Sequence, residues 1–244
     1  MSQTRIRLVC LPHAGGSASF YFPLSRALTP AVDVLAVQYP GRQDRRGEPN
    51  IDSIPGLADQ IFEAIRHLDD QPLALFGHSM GAVLAYEIAL RMQDAGLPGP
   101  VRLFASGRRA PSHDREERLH LATDTELLAE VRRLGGSPAA LLADPDVREM
   151  IMPAIRSDYH AVEKYRWAPG RKLSCPVTVL TGDSDPRVSV EEAAAWEEHT
   201  TGLTELQVFP GGHFFLADQS TRVTGLLADR LTGQHVGAAR EARI

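Results

Sequence analysis

Leu73-Ala-Leu-Phe-Gly-His-Ser-Met-Gly-Ala82 is the stretch whose reading decides the fold. Leu73, Leu75 and Phe76 read as a short buried strand, and Val83, Leu84, Ile88 and Met92 recur at helical spacing until Gly96 offers a stop. Between them, Gly77-His-Ser-Met-Gly81 turns the strand directly into the helix. Such an elbow holds its serine in a strained backbone with the hydroxyl exposed. Strand and helix approach so closely there that residues two before and two after the serine have no room for a Cβ. Gly77 and Gly81 meet that requirement, and Ser79 is the candidate nucleophile. The five-residue motif is weak alone; the strand before it and the helix after it give it weight.

Outward from the elbow, apolar runs alternate with amphipathic stretches. Strands are expected at 6–11 and 32–39 and helices at 20–28 and 54–68. Beyond the elbow come strands at 101–105, 177–181 and 206–209, a helix near 190–199 and a last helix after Ser220. That rhythm predicts an α/β fold, a mostly parallel central sheet with helices on both faces. The segment 108–167 breaks the rhythm with helices and no convincing strand. It is expected as a helical lid over the carboxyl ends of the strands, where loops of this architecture carry function. Within it, Thr123-x-x-Glu126 resembles a capping box, Gly135-Gly136 stops the helix that follows, and a second helix at 147–165 is expected to kink or break at Pro153.

The 244-residue chain suits one domain, 1–232, because no Gly/Ser-rich or Pro-rich linker divides it; residues 233–244 lack a sustained apolar period and are expected as a flexible tail. A net charge of −5 with scattered basic residues gives no electrostatic reason to expect nucleic acid. No apolar run approaches membrane-spanning length, so secretion and membrane insertion are not expected. Cys10 and Cys175 read as free core thiols in a reducing cytoplasm. No cluster has metal-ligand spacing, and no dinucleotide or phosphate-binding glycine motif follows a strand, so neither metal nor cofactor is expected. Nothing demands more than a monomer.

A serine hydroxyl becomes a good nucleophile when a histidine takes its proton and a carboxylate fixes that histidine's tautomer. In the α/β-hydrolase arrangement both partners follow the serine, each on a loop after a late strand. His213, in Pro210-Gly-Gly-His-Phe-Phe215, sits in a glycine-rich loop directly after a strand and is assigned general base and acid. His78, His113, His120, His160, His199 and His235 fall in the elbow, predicted helices, lid or tail. For the acid, Thr181-Gly-Asp-Ser-Asp-Pro-Arg-Val188 offers Asp183 and Asp185. By analogy with the fold, the acid lies three residues past the strand-ending glycine, which selects Asp185 and leaves Asp183 to stabilise the loop. Two backbone N–H groups are expected to hold the oxyanion: Met80, at the helix start, and Ala14, in Leu11-Pro-His-Ala-Gly-Gly16 after the first strand. Arg42, Arg45, Arg46, Arg108 and Arg109 could meet phosphate or an acidic partner surface, though solvated surface ion pairs are the plainer expectation.

Taken in order, Pro12-His-Ala-Gly-Gly16, Tyr39-Pro-Gly-Arg42, Gly77-His-Ser-Met-Gly81, Gly182-Asp-Ser-Asp-Pro-Arg-Val188 and Gly211-Gly-His-Phe214 resemble the type II thioesterases, the discrete editing enzymes of polyketide and nonribosomal peptide synthases. The likeness runs from about Ile6 to Leu231, and the stretch Ile155-Arg-Ser-Asp-Tyr-His-Ala-Val-Glu-Lys-Tyr165 is also similar to the family's lid. The resemblance implies hydrolysis of acyl thioesters on the phosphopantetheine arm of an acyl or peptidyl carrier protein, through an acyl-Ser79 intermediate. Two other readings share the motifs: a medium-chain fatty acyl thioesterase, and a general carboxylesterase that needs no carrier.

Overall fold

The structure, a computed structural model, describes residues 5–136 and 144–241, without side-chain detail beyond Gly233. Six strands, β1 (Ile6–Leu11), β2 (Val32–Ala36), β3 (Leu73–His78), β4 (Leu103–Ser106), β5 (Val177–Gly182) and β6 (Thr204–Phe209), form one sheet in the order β2-β1-β3-β4-β5-β6, every neighbouring pair parallel. Parallel strands need crossovers, and helices supply them on both faces. Along β1, Val9 and Leu11 enter one apolar cluster while Ile6, Leu8 and Cys10 enter the other. Burial on both faces is why this strand reads as a continuous apolar run.

On one face pack α2 (Ile54–Ile65) and α3 (Met80–Asp94); on the other, α1 (Phe22–Leu28) and the long C-terminal helix α8 (Ser220–Glu241). The helix ends follow local chemistry. The Ser53 hydroxyl caps α2 by accepting from Gly56 N–H. Between β4 and β5 lie α4 (Asp124–Leu134) and α5 (Pro145–Lys164); after β5 come α6 (Val190–Ala194) and, past β6, α7 (Phe215–Asp218). The expected Thr123–Glu126 capping box is formed, and Gly135 ends α4 at φ +87°. Leu127, Leu128, Met152, Ile155 and Tyr159 make a third apolar cluster that joins α4 to α5, with Ala14 of the loop after β1 packed against it.

Several expected boundaries move. β2 ends at Ala36 rather than 39: the last bond of its ladder is Val37 N–H to Cys10 O, and the chain then turns towards Pro40, which has no N–H to donate. α5 runs through Pro153 without a break, since the proline forfeits one helix bond while Met152 and Ile155 pack on α4. The expected helix at 190–199 divides into α6 and a 3₁₀ turn, Ala195–His199. α8 carries helical backbone through 233–241, part of the expected tail; Ala238, Ala239, Arg240 and Glu241 are strong helix formers and need no apolar period. Residues 242–244 lie outside the described residues.

Candidate active site

Ser79 stands between β3 and α3 with φ +55° and ψ −115°, a conformation that L residues rarely adopt. The crossing explains its flanking glycines. A Cβ on Gly77 would lie 2.0 Å from Gly81 O, and one on Gly81 would lie 2.0 Å from Leu11 O, both backbone atoms that cannot step aside. Ser79 N–H donates to Ser106 O at 2.8 Å, tying the elbow to β4. The serine is half-buried and lines a cavity of about 40 Å³ together with Ala14, Arg108 and His213. Val131 and Leu134 of α4 and Ile155 and Tyr159 of α5 line it as well.

His213 and Asp185 meet at the end of β5. His213 Nδ1 lies 2.8 Å from Asp185 Oδ2, and the side chains are 5 % and 0 % exposed. A proton on Nδ1, facing the carboxylate, leaves Nε2 as the acceptor that a nucleophilic hydroxyl requires. Arg187 N–H donates to the other carboxylate oxygen at 2.8 Å. Asp183 instead holds the loops together. Its Oδ1 accepts from Gly211 N–H at 3.0 Å and from the Ser184 hydroxyl at 2.8 Å, clamping the aspartate loop to the histidine loop. Those hydrogen bonds hold its carboxyl below the usual range. The two loops touch closely, since a Cβ on Gly182 would lie 2.3 Å from Gly211 O. Of the two aspartates, Asp185 is the one in contact with His213.

Two further imidazoles surround this histidine. His78 turns into the core, where Nδ1 pairs with Ser106 Oγ at 3.0 Å and its ring centre lies 5.1 Å from that of His213. His13 sits edge-on between Phe20 and Phe214, 4.7 Å from each. Burial pushes His78 well below the usual histidine range and His13 down to about 3, with the neighbouring His213 acting in the same direction. Both stay uncharged near neutrality, so neither competes as a base.

The loop after β1 is held by a network that local sequence patterns do not reveal. Asp158, on α5, accepts from Gly15 N–H at 2.7 Å and from Arg42 at 2.6 and 2.9 Å, while Arg42 also donates to Gly16 O at 3.1 Å. Tyr39 Oη donates to Pro12 O and Tyr21 Oη to Leu11 O. Gly16 N–H returns to His13 O, so of the consecutive donors Ala14, Gly15 and Gly16 the last two are taken, and Ala14 faces the cavity. Arg42, expected among the arginines of a partner surface, is instead buried in an ion pair whose carboxylate is 1 % exposed. Arg109 is likewise buried, against Glu117, and Arg45 pairs with Glu48. The Pro12–Gly16, Tyr39–Arg42 and Ile155–Tyr165 stretches each supply a member of the first network, but nothing in them pairs Arg42 with Asp158, 116 residues away.

Removing one partner of a buried pair leaves the other charge unmatched. Asp158→Asn is therefore expected to lower unfolding stability by roughly 3 to 5 kcal/mol. It should also lower kcat by freeing the Gly15 segment. Denaturant unfolding with parallel kinetics checks this, and an unchanged midpoint would contradict it.

Among the described residues, no three His, Cys, Asp or Glu side chains gather as metal ligands, and no helix is long and apolar enough to cross a membrane. A thioesterase-domain family model matches residues 6–231. The chain is 50% identical over 226 residues to a probable cadicidin biosynthesis thioesterase of Streptomyces griseus, covering 93% of this chain and 62% of that protein's length. It is 45% identical over 227 residues to thioesterase PikA5 of Streptomyces venezuelae, covering 93% of this chain and 81% of PikA5. Among solved structures, the type II thioesterase BorB from the borrelidin biosynthetic cluster superposes with a TM-score of 0.87 at 51% identity, over 93% of each chain. The sheet and its helices are thus those of the α/β-hydrolase thioesterases.

Proposed function

Because the chain belongs to the thioesterase family, with type II enzymes of polyketide and nonribosomal peptide clusters as its relatives, we propose that it hydrolyses acyl groups from the phosphopantetheine arm of carrier proteins and so clears a synthase of stalled or mischarged intermediates. The observation that carries this reading is the Asp185–His213 hydrogen bond in the wall of the cavity lined by Ser79.

Catalysis then runs through this chain's own groups. Ser79 Oγ attacks the thioester carbonyl while His213 Nε2 takes its proton, and Asp185 stabilises the imidazolium that forms. The developing oxyanion accepts from Ala14 and Met80 N–H. The C–S bond breaks and the sulfur leaves easily because a thiolate is stable compared with an alkoxide; it takes the Nε2 proton of His213, which leaves as part of the free thiol and returns the imidazole to its neutral form. Water, deprotonated by His213, attacks the acyl-Ser79 ester; the carboxylic acid departs and the serine regains its proton. Val131, Leu134, Ile155 and Tyr159 act as a lid that limits water and shapes the acyl pocket.

The test compares kcat/KM for one short acyl group on a phosphopantetheinyl carrier protein, on a pantetheine mimic and on a nitrophenyl ester. A strong preference for the carrier is expected. Equal rates on all three, or a preference for the free ester, would make it a general esterase instead.

A further inference from the structure

His78 takes no part in the hydrolytic steps, yet it is packed against the base that does. It lies beside Ser106, its register partner on β4, and both residues are 0 % exposed. Aromatic rings surround it: His213 and Phe214 at 5.1 Å between centres, Phe20 at 6.2 Å and Phe215 at 6.4 Å. The chain after β4 completes the enclosure. A Cβ on Gly107 would lie 2.5 Å from His78 Cε1 and 3.5 Å from His213 O. In such surroundings an apolar side chain of similar size would leave no polar atom unpaired. His78 instead buries Nε2, which has no hydrogen-bond partner among the described residues, and that burial is unfavourable. What the histidine offers in return is one contact, the hydrogen bond between its Nδ1 and Ser106 Oγ at 3.0 Å.

Ser106 stands between the two reacting groups. Its carbonyl accepts from Ser79 N–H at 2.8 Å, and its hydroxyl holds the ring that packs on His213. Asp185 grips His213 at Nδ1 alone, and a single hydrogen bond leaves an imidazole free to pivot about it. We propose that His78 is a positioning residue: locked to Ser106, it blocks that pivot and keeps His213 Nε2 aimed at Ser79 Oγ. One residue at the end of β4 then references both partners of the proton transfer to the same point. The inference rests on the reading of Ser79 and His213 as nucleophile and base. Proton transfer requires hydrogen-bond reach, and a misplacement of about 1 Å costs on the order of 100-fold in rate.

The experiment measures kcat and KM for one acyl-pantetheine in His78→Leu, Ser106→Ala and the double variant, with a thermal melt of each. Each single variant is expected to lower kcat about tenfold or more at unchanged KM. The double variant should lose no more than the worse of the two, because both break the same link. His78→Leu should melt close to the wild type, since it exchanges an unpaired nitrogen for apolar contact. An unchanged kcat in Ser106→Ala, a rise in KM in place of the fall in kcat, or losses that multiply in the double variant would overturn the proposal. Should His78→Leu fold poorly, Ser106→Ala decides alone: it removes one hydroxyl and leaves the carbonyl on Ser79 N–H in place. Full turnover in Ser79→Ala, measured beside these, would instead sink the hydrolytic reading itself.

Discussion

Ser79→Ala is expected to lower kcat for thioester hydrolysis by roughly 10⁶-fold, to a residue of activity owed to binding and the oxyanion donors alone. The size of the loss follows from the position of the hydroxyl. Its backbone is held at φ +55° between two glycines that admit no Cβ, with Ser106 O on its N–H, so no other side chain can take over that point in the cavity. The variant should fold as the wild type does, because Ala lacks only an oxygen that half faces the cavity. Far-UV circular dichroism and a thermal melt separate the two effects. Loss of activity together with loss of fold would leave Ser79 a structural residue.

Asp185→Asn is expected to lower kcat by about 10⁴-fold with little change in KM. The amide keeps the shape of the carboxylate but can present N–H to His213 Nδ1, which favours the tautomer with its proton on the wrong nitrogen for accepting from Ser79. With 0 % side-chain exposure at Asp185, no water replaces the missing charge. Asp183→Asn is the internal control. Its carboxylate touches Gly211 N–H and Ser184 Oγ, not His213, so it should change kcat by less than an order of magnitude. Steady-state kinetics on one acyl-pantetheine suffices; equal losses in the two variants, or a larger one at Asp183, would reverse the assignment.

Much of this arrangement was legible because the chemistry of each loop is written beside the strand that carries it. Gly77, Ser79 and Gly81 announce their own steric problem, and His213 follows β6 in a glycine-rich turn. The choice of Asp185 over Asp183 was harder, since both lie on one loop and only the side-chain directions in space separate them. The fastening of the loop after β1 was not legible. Arg42 looks like any surface arginine until α5 brings Asp158 against it, and no local pattern encodes a contact across 116 residues. Burial decides such cases, and a periodic apolar signal says little about which single charge a helix carries inward.

The most direct test of the central claim, that Ser79 hydrolyses thioesters by carrying the acyl group, is intact-protein mass spectrometry after rapid acid quench of the enzyme with an acyl-pantetheine. The expected result is a transient mass increase equal to the acyl group, located on the peptide bearing Ser79 and absent from Ser79→Ala. An adduct on another residue, or full turnover by Ser79→Ala with no adduct at all, would contradict the account.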